Sequence, residues 1–407
     1  MKTAMWCFMC CAAAAVLSPV FADPSITSVS AVQGASGAVT IGYELAGEAA
    51  VITVDVQTNG VSIGDANLTH FAGDAFRKVQ PGSRAATWMP DKSWPNQNAV
   101  EGSLSYVVKA WSLDNPPDYM VVDLVTSNTV NYYLSADQLP DGLSDVKYRT
   151  DKLVMRRIPA KDVEWRMGSP SRENGHRDHE TAHYVILTND FYLGVFELTQ
   201  RQYALVNGSN PTWVRTGDDA PLCPADAVAC STFRGTDNIW PRNGHDVDSD
   251  SWLDKVRSLT GVGFDLPTSA QWEFACRAGT GTALYTGEYG DFNEAITNIA
   301  WTSLNSSVGT MPVGLLRPNG YGLYDMLGNV WEICLDQCEK NSYYEDSKIE
   351  PVGPNQDYSN HVRRGNAAND ANVNYYRSAA WHYMSRTAAG SSSNRHGFRL
   401  WAPLAQH

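Results

Sequence analysis

Residues 319–332 read NGYGLYDMLGNVWE and set two carboxylates, Asp325 and Glu332, around a Gly328-Asn329 turn. A Gly-Asn pair lets the backbone reverse sharply and aim its carbonyls inward. Two carboxylates joined by such carbonyls form a hard-oxygen cage, which suits Ca2+ better than a soft metal. The plainer reading of the same spacing is a tight turn with solvated acids.

Other chemistry-bearing groups are weaker. His176, His179 and His183 have metal-ligand spacing. An extended strand opening at His183 would separate it from the other two, and the loop ENGHRDHE around them reads as solvated. No G-x-S-x-G elbow, phosphate loop or dinucleotide fingerprint occurs. The lone His361 and His382 read as surface or packing residues. Cys223 and Cys230 bracket a PADAVA loop as a plausible local bridge, and no CxxC zinc pair occurs after residue 22.

The elements that would position these groups fall into two blocks. Residues 23–134 read as an all-β sandwich domain of immunoglobulin or fibronectin type. AVTIGYEL (38–45), AVITVDVQT (50–58) and LSYVVKAWSL (104–113) alternate apolar and polar residues, and Asn59-Gly60 marks a hairpin turn. Asp65, His70 and Asp74 are spaced as ordinary loop residues. Residues 135–150, with Pro140 and Gly142, have linker chemistry. From residue 151 the helices are short. One is expected over Thr199–Val206. Another is expected over Ser269–Ala278, capped by Thr268 with Gln271 completing a capping box and Gly279 as the stop.

Six segments occur in a fixed order: GSP at 168–170, HYVILTNDFYLGVFELTQRQYALVNGSNPT at 183–212, LPTSAQWEFACRAGTG at 266–281, NGYGLYDMLGNVWE, RRG at 363–365 with YRSA at 376–379, and GFRL at 397–400. Together they resemble the formylglycine-generating enzymes, the sulfatase-modifying-factor family, over roughly residues 151–403. The resemblance implies an α+β fold, a distorted C-type-lectin-like domain occupying 151–407. It implies a structural Ca2+ held by the side chains of Asp325 and Glu332 and the carbonyls of Gly328 and Val330. It also implies a second cation site, of which Asn298 and Ile299 match one half. LNSSVGT (304–310) replaces the other half and brings no carboxylate. With those motifs side by side, Cys276 is expected near Cys334 or Cys338.

The family's oxidising members hold copper(I) on two cysteines between the RGG-like and YR-x-A strands, since soft thiolates suit that ion. Here the interval is NAANDANVNYY, 366–376, without cysteine. No copper is therefore expected. The expected role is a binding or scaffold module, with a peptide, protein or glycan ligand in a groove near Asn366, Asn369, Asp370, Asn372, Asn374, Tyr375, Tyr376 and Trp381. Rigid rings with adaptable amides suit recognition. The alternative is an enzyme modifying a protein or thiol by a cysteine-independent route. A special case of the first is a diversified ligand-binding protein, varied in this C-terminal stretch.

Composition agrees with folded, exported domains. The 407 residues are 43% hydrophobic and 18% charged, enough for two or three cores. The net charge of −13 argues against nonspecific nucleic-acid binding. Residues 1–22 read as a secretory signal peptide, and no later apolar run is long enough for a transmembrane segment. Export to the periplasm, cell surface or medium would favour disulfides among the five remaining cysteines.

Overall fold

The computed structural model describes residues 22–95, 102–126, 129–210, 216–235, 244–287, 292–306, 309–339, 348–353, 360–385 and 396–404. The leader expected over residues 1–22 lies outside these but for Ala22. Near the N-terminus, β1 (Ser25–Gln33), β2 (Val39–Ala46), β5 (Phe71–Gly73) and β7 (Gly82–Trp88) form one sheet in the order β1-β2-β7-β5. Facing it, β3 (Ala50–Thr58) pairs with β4 (Val61–Ser62), β6 (Lys78–Val79) and β8 (Leu104–Trp111). Alternation in β2 buries Val39, Ile41, Tyr43 and Leu45 in turn. Asn59 and Gly60 take φ of 52° and 76°, the doubly left-handed turn that a two-residue hairpin requires, and β3 and β4 pair across it.

The expected boundaries move. Strands β9 (Tyr119–Asp123) and β10 (Val130–Tyr133) do not belong to the sandwich. They join β11 (Lys152–Ile158), β14 (Phe191–Gly194) and β19 (Trp401–Pro403) in a five-stranded sheet ordered β10-β9-β11-β14-β19. Alternation says that a segment is a strand; it does not say which sheet takes it. Residues 135–150 are not a loose linker either. They contain a turn of helix at Lys147–Thr150, bury Leu139 and Tyr148, and are tied to the sandwich where Asp65 accepts hydrogen bonds from Ser135 and Gln138. One apolar cluster runs from Ile41 and Trp88 to Val154, Val195 and Phe196, so the two blocks share a core.

In the large domain, β12 (Val163–Met167) and β13 (His183–Leu187) form a hairpin, and β17 (Trp381–Ser385), β16 (Asn360–Arg364), β15 (Trp331–Cys338) and β18 (His396–Gly397) form a second sheet in that order. The helices α1 (Gln200–Asn207) and α3 (Ser269–Arg277) start at full capping boxes, Thr199 with Gln202 and Thr268 with Gln271. Helix α1 ends at Gly208 in the left-handed conformation, and α3 at Ala278 with φ 46°. A third helix, α2 (Trp252–Thr260), not among those expected, is bounded by a Ser251 cap and a left-handed Gly261. Large rings fill the gaps between loops: Trp88, Trp252, Trp272 and Trp331 are wholly buried. The architecture is mixed α+β, mostly β, with an N-terminal sandwich.

Candidate functional site

The signature turn leads into β15 and is tied down where the Gly328 amide donates to the Gly365 carbonyl and the Asn329 amide to the Trp301 carbonyl. Gly328 has φ 87°, and a Cβ there would fall 2.3 Å from the Trp301 carbonyl oxygen, so only glycine fits. Asp325, Val330 and Glu332 are buried beside it. Both oxygens of Glu332 are engaged: Arg399 donates to them through Nε and Nη2 at 2.6–3.0 Å, and Trp272 Nε1 donates to Oε2 at 2.6 Å. Asp325 Oδ2 accepts from the Gly314 amide at 2.7 Å, while Oδ1 is buried without a hydrogen-bond partner. A third carboxylate, Glu197, accepts from Asn329 Nδ2 at 2.7 Å and from the Val330 amide at 3.2 Å. Burial, with the charges of Asp325 and Glu332, raises the pKa of Glu197 well above its ordinary value. Burial also pushes Asp325 up to about 6 against the pull of the Gly314 hydrogen bond.

Three carboxylates thus face one guanidinium, Arg399. Sequence spacing singled out two of the acids but missed Glu197 and Arg399, which approach from 128 and 67 residues away from Asp325 and Glu332 respectively. Among the described residues no three His, Cys, Asp or Glu side chains are grouped to hold a metal ion, so any hard cation here would rest on the open Asp325 Oδ1 and backbone carbonyls. Glu332 is the less available ligand, because Arg399 already neutralises it.

At the second cation position, Asn298 is exposed and donates to the Glu294 carbonyl, and the Ile299 carbonyl accepts from the Tyr285 hydroxyl at 3.1 Å. Asn305 in the replacement loop donates to the carbonyls of Thr297 and Ala300 at 3.1 and 3.0 Å. An amide, rather than an anion, ties this loop together.

The segment 366–376 differs from an open groove. Asn366, Tyr375, Tyr376 and Trp381 are buried at 0%, 6%, 1% and 4% exposure. Asn366 Nδ2 donates to the Asn372 carbonyl, and the Tyr376 hydroxyl lies 2.7 Å from the Ala367 carbonyl and 3.2 Å from that of Asp370. Asp370 and Asn372 brace the loop by accepting from the amides of Asn372 and Asn374. Asn369 alone of the eight expected groove residues is exposed; Asp370, Asn372 and Asn374 are half-buried. Polar composition suggested an open surface, but these polar atoms satisfy the loop's own backbone. Beside it, Tyr375 packs edge-on against Trp331 and His382, and Arg363 lies over Trp331. Burial and the Arg363 charge push His382 down to about 4, so its ring is neutral.

The cysteines are thiols, and no disulfide joins any two of them among the described residues, contrary to expectation. Cys223 Sγ is directed to the Asp219 carbonyl, while Cys230 opens a short helix inside another part of the core. Cys276, Cys334 and Cys338 do gather in one apolar cluster. Burial pushes Cys230 and Cys276 up to about 12 and raises Cys334 and Cys338 too. Of the three spaced histidines, His176 bonds Ser169, His179 packs on Trp381, and His183 lies 2.9 Å from the Thr181 carbonyl at the start of β13.

The family model described as "Sulfatase-modifying factor enzyme 1-like domain" matches residues 155–403. The formylglycine-generating enzyme of Streptomyces coelicolor is 34% identical over 176 residues, 40% of this chain and 54% of that protein. That of Thermomonospora curvata is 34% identical over 179 residues, 40% and 58%. The chain spans about half the length of these curated relatives. Among solved structures, Treponema denticola variable protein 1 aligns with a TM-score of 0.48 at 22% identity, over 62% of this chain and 95% of that one. PvdO from Pseudomonas aeruginosa aligns with 0.47 at 22%, over 61% and 94%. With the family model covering more than half its length, this chain belongs to the sulfatase-modifying factor enzyme 1-like family, that of the formylglycine-generating enzymes.

Proposed function

We propose that this protein is an exported binding or scaffold module on the formylglycine-generating-enzyme frame, without the family's thiol-based oxidation, and with its signature turn stabilised by Ca2+. The observation that carries the reading is the location of sulfur. The interval between β16 and β17 has no cysteine, and the thiols elsewhere are buried with four of them pushed towards the protonated form. Copper(I) is held by thiolates, and a thiolate is costly at such positions. For the cation, Asp325 Oδ1 would supply the open ligand with the carbonyls of Gly328 and Val330, and Glu332 the surrounding charge. Ca2+ there would supply countercharge to the buried acids, a structural role. A ligand at the 366–376 end would meet Asn369 and the half-buried amides rather than the buried rings.

Two measurements on the purified full chain test this. Metal analysis should return about one Ca2+, and chelator should lower the melting temperature, because a ligand that binds only the folded state stabilises by mass action. Identical melting with Ca2+ and with chelator removes the cation. Incubation with a cysteine-containing sulfatase peptide, Cu(I) and oxygen should leave the cysteine unchanged. Conversion of that cysteine to formylglycine overturns the binding reading.

A further inference from the structure

A cavity of about 480 Å3 opens at the Phe191 end of β14, bounded by the loop at Asp114, the end of β11 and the C-terminal strand at Trp401. Its size is that of a small-molecule site. The His245 imidazole stacks on the Trp401 ring, with centroids 4.5 Å apart and planes 9° from parallel. His245 Nδ1 lies 2.9 Å from Asp265 Oδ2. Burial alone would raise the pKa of Asp265, but hydrogen bonds from His245 and Arg234 hold it below the usual carboxylate range. An ionised carboxylate only accepts, so Nδ1 carries the proton and donates. Nε2 lies across the ring from that bond, and with the side chain 49% exposed the outer face of the ring is open.

The walls are fixed before any ligand arrives. Arg157 donates twice to Asp190, at 2.7 and 3.1 Å, and Asp190 also accepts from the Lys161 amide. What remains unspent is the Lys161 ammonium and the Asp114 carboxylate, both exposed and making no ion pair among the described residues, together with the exposed Asn115 amide. The lining charges nearly cancel: Asp114, Asp190 and Glu350 against Arg157 and Lys161. A strongly charged ligand has no net field to draw it in. Donors and acceptors interleaved around an open ring face suit hydroxyl groups, each of which both gives and takes a hydrogen bond. The ring face itself suits the C–H side of a saturated ring.

We infer that this cavity binds a neutral sugar of one or two rings, stacked on His245 and hydrogen-bonded by Lys161, Asp114 and Asn115. The site is separate from segment 366–376. It rests on the binding reading only in taking ligand capture as the protein's task.

The test uses the full chain and a panel of free disaccharides: maltose, cellobiose, lactose, trehalose and chitobiose. The Trp401 indole N–H signal, assigned in 1H–15N spectra by Trp401→Phe, should shift on titration with at least one of them. Lys161→Ala and Asp114→Ala, both at exposed positions, should each weaken that binding tenfold or more with unchanged melting temperature. Silence of the Trp401 signal to the whole panel overturns the inference. So does saturable binding of glycylglycine or inorganic phosphate in place of the sugars, or sugar binding untouched by both variants. Formylglycine formation in the peptide assay would sink the non-oxidase reading and leave this one standing.

Discussion

At the scale of single residues, buried charge dominates this protein. Removing one member of a buried ion pair strands the other, which costs on the order of 3–5 kcal/mol. Glu332→Gln should therefore destabilise the chain by about that amount, because Arg399 loses its partner, and denaturant unfolding would measure it. Asp226 offers the opposite case. It is 1% exposed, its Oδ1 has no hydrogen-bond partner, and burial pushes its pKa up to about 7. Its folded pKa exceeds the unfolded value of about 3.9. The folded state therefore binds more protons in the window between, and stability falls as pH rises from about 4 through 7. Asp226→Asn should remove that contribution and raise the melting temperature at pH 8 but not at pH 4. Equal shifts at both pH values would show that the carboxyl does not titrate in this way.

At the scale of elements, the helices are set by their caps and the functional loops by their own polar atoms. Thr268 accepts from the Gln271 amide and Gln271 returns the bond to the Thr268 amide. Thr268→Ala should cost about 1 kcal/mol, a normal price for a lost N-cap, read from thermal melting. Segment 366–376 depends on the Tyr376 hydroxyl in a similar way. Tyr376→Phe leaves the ring in place but removes the hydroxyl's bonds to the Ala367 and Asp370 carbonyls, the first of which keeps the Asp370 amide at 2.9 Å, so about 1 kcal/mol is expected to be lost there too. Increased amide exchange confined to residues 366–376 would show that the hydroxyl braces this loop; unchanged exchange would show that it does not.

At the scale of the molecule, the N-terminal block and the family domain share both a sheet and a core. Met120 and Val122 of β9 pack with Leu153, Met155 and Tyr192 in the main core of the large domain. A fragment starting at residue 135 would strip β9 and β10 from the five-stranded sheet and expose the edge of β11. It should aggregate or resist expression. A fragment starting at residue 114 retains them and should be the more soluble and the more resistant to proteolysis. Equal behaviour of the two would mean that the sheet does not depend on these strands. Among the described residues, no helix is long and apolar enough to cross a membrane.

Local signals were legible wherever the determinant is local. Thr268 with Gln271 opens its helix, whose cap falls at Ala278 just before the expected Gly279, and Asn59-Gly60 turns its hairpin, because capping and turn chemistry acts within four residues. The order of motifs was enough to read the family, since those residues sit at turns and buried pairs that the frame demands. The sequence also showed that no cysteine lies between β16 and β17. Tertiary structure alone decided the rest. It assigned β9 and β10 to the large domain, brought Glu197 and Arg399 to the signature turn, and turned Asn366, Tyr375 and Tyr376 inward. It also brought His245 onto Trp401. Each of these joins residues far apart in the chain, and neither periodicity nor spacing records which distant surface a strand, a charge or a ring will meet.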